Sequence, residues 1–395
     1  MILAKLKSSF LQNAIEPNKH SMIKLTTVFY ASFLGLILSV SSCKKDEPTE
    51  TEITPSAVPE FFGNAAQTKP EFVLIANASS RLNQPQDLDF HPHRPNELWI
   101  INKETSNTGG STVMLTETGT PNQKFDFRRD GNAWHFMALP SAIAFSDNGN
   151  WATTANILDA NHSGGTFTGP TLWSSDLNIY AKDHGPGTNG SHLDMLHASP
   201  YSMGIAAQFD NVFYVFDGYH GNIARYNFAA DHGPGMHYHG DGKVHRFTEV
   251  RVKRDADVPS HLILDASNEW LYIVDGGNQR VLRMNIKTGT KARNLALLNE
   301  ELEEYWEMKD VVWEEFIPSS FGLKRPCGIA INGNRLFVSD YETGEIICFN
   351  IQTKSEIARV NTGAKGIMGI VLNKDNSIFY TNALTNQVMK IKPSN

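Results

Sequence analysis

Pro326-Cys-Gly-Ile-Ala-Ile331 is followed, after a short polar turn, by Arg335-Leu-Phe-Val-Ser-Asp340, and this two-part phrase decides the fold because it recurs. A proline, one or two small residues and alternating apolar residues lead into a turn. An aromatic-rich run ending in Asp or Asn then follows. Earlier copies are Pro85-Gln-Asp-Leu-Asp-Phe90 with Glu97-Leu-Trp-Ile-Ile-Asn102, and Pro140-Ser-Ala-Ile-Ala-Phe145 with Asn150-Trp-Ala-Thr-Thr-Ala-Asn156. Two more are Pro200-Tyr-Ser-Met-Gly-Ile-Ala-Ala207 with Val212-Phe-Tyr-Val-Phe-Asp217, and Pro259-Ser-His-Leu-Ile-Leu-Asp265 with Trp270-Leu-Tyr-Ile-Val-Asp275. The last pairs Gly366-Ile-Met-Gly-Ile-Val-Leu372 with Ser377-Ile-Phe-Tyr-Thr-Asn382. A third apolar run follows the pair, as at Asn222 to Phe228, Arg280 to Ile286 and Glu345 to Ile351.

Short alternating runs of Val, Ile, Tyr, Phe and Trp between Gly, Asn and Asp are strand signals. Six copies spaced by a few tens of residues predict an all-β fold: a six-bladed β-propeller of four-stranded antiparallel blades over residues 70–395. The last copy supplies only three strands. Glu71-Phe-Val-Leu-Ile-Ala-Asn77 is a spare strand ahead of the first, and pairing the chain's two ends closes the ring without a bare sheet edge. The acidic stretch Asn299 to Lys309 interrupts the pattern. It reads as a solvated loop or short helix leading into an outer strand at Val311 to Phe316.

Composition bounds the class. Length alone gives a prior of two or three domains, which the repeat replaces with one. With 41% apolar and 19% charged residues the chain can bury a large core, so wholesale disorder is excluded. The net charge of -7 excludes a protein built to grip nucleic acid phosphates. Three cysteines cannot make a disulfide scaffold. Cys327 and Cys348 fall on the first and third strands of one blade and are expected as buried thiols.

The phrases Pro-x-Gly-Ile-Ala and Val274-Asp-Gly-Gly-Asn-Gln-Arg-Val281 resemble NHL repeats, whose resemblance implies a six-bladed propeller and says little about activity. At the N-terminus, Met22 and Lys24 precede an apolar run from Val28 to Val40, too short to span a bilayer and suited to a signal h-region. Its end, Val40-Ser-Ser-Cys43, resembles a bacterial lipobox. The resemblance implies a leader over 1–42 with its true start at Met22, lipidation of Cys43, and a flexible tether over 43–69. An outer membrane lipoprotein follows, surface-exposed or periplasm-facing. The Lys-then-acidic patch behind Cys43 favours the surface.

The chemical anomaly is histidine: nine of the 14 fall between His184 and His261. Asp183-His-Gly-Pro-Gly187 and Asp231-His-Gly-Pro-Gly235 are near copies. Imidazole is the commonest metal ligand, so a divalent transition metal is the cofactor to test. Propeller topology puts His162 and His220 in second-to-third-strand loops. His184, His192 and His197 fall in the long loop entering repeat three, and His261 opens the inner strand of repeat four. These six share one face. The candidate site is the channel mouth, with His197, His220, His261 and His162. His232, His237 and His239 occupy a third-to-fourth-strand loop, expected on the opposite face as a secondary histidine loop. Asp217, Asp275 and Asp340 recur with the blade and read as turn caps, with Arg225 and Arg280 as partners.

Three functions remain open. One is a lipid-anchored, monomeric binding or scaffold propeller for a protein, peptide or glycan, with no nucleic acid partner. A second is a metal-dependent propeller enzyme, a lyase or a lactonase-type hydrolase. Peptidyl-hydroxyglycine amidating lyases resemble this repeat but carry His directly after its Pro. Here Gln86, Ser141, Tyr201, Ser260 and Cys327 stand in that place. The third, metal-based electron transfer, lacks any haem-attachment motif.

Overall fold

The recurring phrase folds as the two inner strands of a blade. Pro326–Asn332 pairs antiparallel with Arg335–Asp340, Ile329 opposite Val338. The glycine in the phrase is required by the neighbouring blade rather than by a turn. A Cβ on Gly328 would lie 2.2 Å from Met368 O, and one on Gly204 2.0 Å from Ser260 O. These two inner strands therefore press directly on the next, and any side chain at these positions would wedge them apart.

The structure, a computed structural model, describes residues 70–392. Its strands form six sheets, each blade running from an inner to an outer strand. Blade one is Pro85–Phe90, Leu98–Thr105, Gly109–Thr116 and Lys124–Arg128. Blade two is Pro140–Phe145, Trp151–Ala155, Thr171–Trp173 and His192–Met195. Blade three begins Ser202–Phe209, Val212–Asp217, Asn222–Asn227 and Lys243–Phe247. Blade four is Leu262–Asp265, Trp270–Asp275, Arg280–Asn285 and Trp313–Ile317. Blade five continues through Glu345–Asn350 and Glu356–Asn361. Blade six is Ile367–Leu372, Ile378–Asn382 and Gln387–Ile391, completed by Phe72–Ala76. The fold is the six-bladed β-propeller that the repeat predicts, and the first described strand closes it, with Phe72 opposite Ile391.

The apolar alternation is spent between blades. Six buried clusters each join neighbouring blades around the whole ring, such as Phe213, Val215 and Tyr226 of blade three with Ala142, Leu172 and Leu193 of blade two. The wedge between blades one and two holds Trp99, Trp151 and Trp173 around Tyr180. All three indole N–H groups find acceptors, at Glu97, Ser174 O and Thr153, as burial demands.

The acidic stretch departs from expectation. Half of it is the strand Glu304–Lys309, which lies parallel to Lys243–Phe247 and is backed by Thr290–Asn294. These two strands leave blade four and extend blade three to six strands. Glu304 and Glu307 are tolerated there because His245, Lys291, Arg293 and Lys309 face them. The outer strand Trp313–Ile317 stands where the sequence places it. The residues around Cys43, with the expected leader and tether, lie outside the described residues. Cys327 and Cys348 are buried on the first and third strands of blade five.

Candidate functional site

The inner strands surround a cavity of about 170 Å³ on the propeller axis. His261, just ahead of blade four's inner strand, crosses it: Nε2 lies 3.0 Å from Ser141 O of blade two. Nδ1 lies 3.4 Å from Asp87 Oδ1 of blade one. Burial pushes this imidazole down to about 4, against the opposing Ser141 contact, so it is neutral near pH 7. Nε2–H donates to the carbonyl and Nδ1 is left as an acceptor.

Asp87 and Asp89 take the place that Ala142 and Ala144 hold in the second copy. Their carboxylates accept the inner-edge N–H groups of blade two, Ile143 at 3.0 Å and Phe145 at 2.8 Å. Burial pushes Asp87 up to about 8 despite the N–H groups of Ile143 and Leu88. Asp89 rises to about 7 by burial, with the Asp87 charge adding to it. Asp89 retains solvent contact within the cavity. A protonated Asp87 opposite neutral His261 makes an uncharged bridge over the axis. Sequence reasoning missed these two carboxylates, although aligning Pro85–Phe90 with Pro140–Phe145 displays them.

The expected histidine quartet does not gather at the channel mouth; each member has its own partners. His261 is spent across the channel. His220 pairs through Nδ1 with Asp217 Oδ2 at 2.8 Å. It borders a separate cavity of about 540 Å³ lined by Arg246, Arg251, Arg293 and Lys309. His162 is exposed, its Nε2 3.4 Å from Trp134 O. His197 is buried, and its companions come from the loop assigned to the opposite face.

That loop, residues 228–242, folds along the outer edge of blade two instead of standing on its own face. Gly235 N–H donates to His192 O and Asn189 N–H to Gly235 O, which ties the two Gly-Pro-Gly phrases together. In each phrase the Asp caps its own turn, Asp183 to Gly185 N and Asp231 to Gly233 N. His192 belongs to blade two's outer strand, stacked on Phe136 at 3.6 Å. The fold-back brings His239 Nδ1 to 2.5 Å from Asp194 Oδ1 and its ring to 5.6 Å from that of His197. His232 Nε2 meets Asp241 Oδ1 at 2.9 Å, and His237 stays exposed.

Glu300, from the loop between the two added strands of blade three, completes the group. Its Oε2 lies 2.7 Å from His197 Nδ1, and its Oε1 accepts the His197 backbone N–H. Asn299 holds the same strap through His197 O and Thr166 O. Donor atoms of His197, His239 and Glu300 all lie within 4.8 Å of one another, as do those of Asp194, His232 and Asp241. Asp194 and Glu300 could be found only with the added hairpin in place.

Two of the three recurrent aspartates cap the turn that follows them; Asp275 makes no such cap and accepts Lys253 N–H and the Asn278 side chain. Asp217 accepts from Tyr219 N and His220 N, and Asp340 from Lys324 N, Glu342 N and Thr343 N. Arg280 pairs with Asp275 at 2.7 Å as expected. Arg225 instead donates to Gln208, and the partner of Asp217 is the buried Arg246.

No protein-family model and no curated protein matches the chain. Solved structures do. A luciferin-regenerating enzyme aligns over 82% of this chain and 95% of its own, with 10% identity and a TM-score of 0.52. The likeness is one of fold. An auxiliary nutrient binding protein from Bacteroides thetaiotaomicron aligns over 78% of this chain and 68% of its own, at 12% identity and a TM-score of 0.50. A streptogramin B lyase aligns over 82% of this chain and 98% of its own, at 11% identity and a TM-score of 0.49.

Proposed function

We propose that the chain is a cell-envelope binding propeller, held at the membrane through a lipid on Cys43, that takes a glycan on its loop-rich face. The observation that carries this reading is the chemistry of the inter-blade and second-to-third-strand loops. Trp134 and Tyr219 keep 38% and 49% of their surface exposed there, although large aromatic rings favour burial. In the same class of loops, guanidinium groups lie over aromatic rings: Arg254 over Tyr201 at 3.9 Å and Arg325 over Tyr341 at 4.9 Å. Asp255 grips Arg325 through both oxygens, and Asn156 holds Arg254 and Ala256 O. Rigid aromatic faces next to fixed donors suit a ligand with apolar ring faces and many hydroxyls.

Catalysis within the channel is the weaker reading. Its cavity of about 170 Å³ is below the roughly 300–1,000 Å³ of small-molecule sites, and His261 crosses it. A propeller of this fold that carries the name auxiliary nutrient binding protein is a precedent for a ligand-binding role.

The test is a glycan array with the purified full-length protein, with a peptide array alongside. Trp134→Ala and Tyr219→Ala should each weaken glycan binding about 10-fold or more, at unchanged melting temperature. Glycan binding that survives in the double variant, or binding confined to peptides, overturns the assignment. For the anchor, Cys43→Ala should move the protein into the soluble fraction. Retention on membranes argues against lipidation.

A further inference from the structure

We propose a divalent transition-metal site, of the kind that takes zinc, between blades two and three, with His197, His239 and Glu300 as ligands and Asp194 as the residue that positions His239. Three independent segments converge to make it. His197 lies on the strap leaving blade two, His239 on the folded-back loop of blade three, and Glu300 on the hairpin that blade four sends over blade three. Histidine nitrogen with carboxylate oxygen is the donor set zinc prefers, and three protein ligands leave one tetrahedral position for water or a ligand atom.

Orphaned polar atoms set this group apart from an ordinary hydrogen-bonded cluster. His197 is 2% exposed and turns Nδ1 to Glu300, so an ion between the two takes Nδ1, while its Nε2 has no partner; Asp194 is fully buried, and its Oδ2 has none either. Next to them, His135 Nδ1 is buried and unpartnered, with the His135 ring 5.7 Å from that of His197. Among the described residues only eight buried side-chain atoms lack a partner, and three of them belong to Asp194, His197 and His135, which are linked through the contacts of His239 and His197. Buried polar atoms are ordinarily satisfied, so this concentration marks a position for a charged guest.

The surrounding contacts orient the ligands. Asp194 Oδ1 holds His239 Nδ1, which leaves Nε2 as the donor nitrogen, the carboxylate–histidine arrangement of metal centres. Phe167 stacks on His197 at 3.6 Å and fixes its plane. A Cβ on Gly169 would lie 1.8 Å from Leu196 O, so glycine lets the strap carrying His197 lie against blade two. His239 and Glu300 side chains are 15% and 12% exposed, which leaves a route for the ion. Bound there, an ion staples the added hairpin of blade three to blade two.

The experiment is zinc titration of the full-length protein after removal of metal with a chelator, with cobalt(II) absorption reporting the coordination geometry. We expect one zinc per chain and visible bands of four-coordinate cobalt. His239→Ala and Glu300→Gln should each weaken zinc binding more than about 100-fold, and Asp194→Asn about 10–100-fold with the ion still bound. His220→Ala and His232→Ala should bind as the wild type does. Circular dichroism and the melting temperature establish that each variant is folded, and Glu300→Gln keeps the side-chain volume in case His239→Ala is not. A folded wild type that takes up no zinc overturns the site. So does wild-type affinity in both His239→Ala and Glu300→Gln, or loss of binding in His232→Ala alone.

Discussion

The buried carboxyl of Asp87 makes stability depend on pH in a direction opposite to most carboxylates. Only 6% exposed, it is pushed by burial from 3.8 to about 8. An acid whose folded value lies above its unfolded one contributes full stability below about 3.8, and that contribution is lost as pH rises toward about 8. Each unit corresponds to about 1.36 kcal/mol, so the interval from about pH 5 to about pH 8 carries a ceiling of about 4 kcal/mol. Relaxation and water in the channel reduce this to on the order of 2 kcal/mol. Asp87→Asn removes the titration and keeps an oxygen for Ile143 N–H. His261 and His135, both held down to about 4 by burial, act in the acid direction. Their contribution is full above about 6.5 and lost as pH falls toward those values, and Asp87→Asn should leave most of it unchanged. The assay is urea unfolding of both proteins across this pH range. The stability gap should shift in favour of Asp87→Asn as pH rises and level off above about 8. A gap constant between about pH 5 and about pH 8 refutes the reasoning.

Arg246 and Asp217 form a buried ion pair at 2.6 Å, 2% and 0% exposed, with the Tyr305 hydroxyl also on Arg246. Burial alone would raise Asp217; the Arg246 charge, together with the side chain and backbone N–H of His220, outweighs it and holds the carboxyl down at about 2. Arg246→Met strands that charge and should cost about 3–5 kcal/mol in chemical denaturation. A cost below about 1 kcal/mol would show that the pair is not what holds Asp217. Deleting Phe72–Ala76 bares Gln387–Ile391 as an open edge, which should give multimers by size-exclusion light scattering; a monomeric product would show that closure is dispensable.

The fold was legible because its signal is repeated: six copies of one phrase average out local irregularity, and the spare strand at Phe72 follows from counting strands. The added hairpin was not legible, because Glu300 to Glu307 reads as a solvated charge run and its strand character comes from pairing with Lys243–Phe247. That miss propagated into the site. Face assignments assume that each loop stays over its own strands, and the loop carrying His239 instead lies along blade two, where Asp194 holds it. His261 reads as opening blade four's inner strand and stands one residue ahead of it, and its reach to Ser141 and Asp87 is set by the width of the ring, a quantity with no local signature.

Closure by the two ends also sets an order of events. Phe72–Ala76 is made before every other described strand, yet its partner, Gln387–Ile391, is the last of the described strands to emerge. No earlier described strand takes its place in that pairing, so the propeller stays an open arc until Gln387–Ile391 has been made. Contacts between distant parts of a chain form late and slowly. A chain cut short anywhere before Gln387 keeps its first strand unpaired and a face of blade one uncovered, features that quality-control proteases and chaperones engage. The ring thus works as a checkpoint: only a chain carried through Gln387–Ile391 can cover the edge of its first described strand.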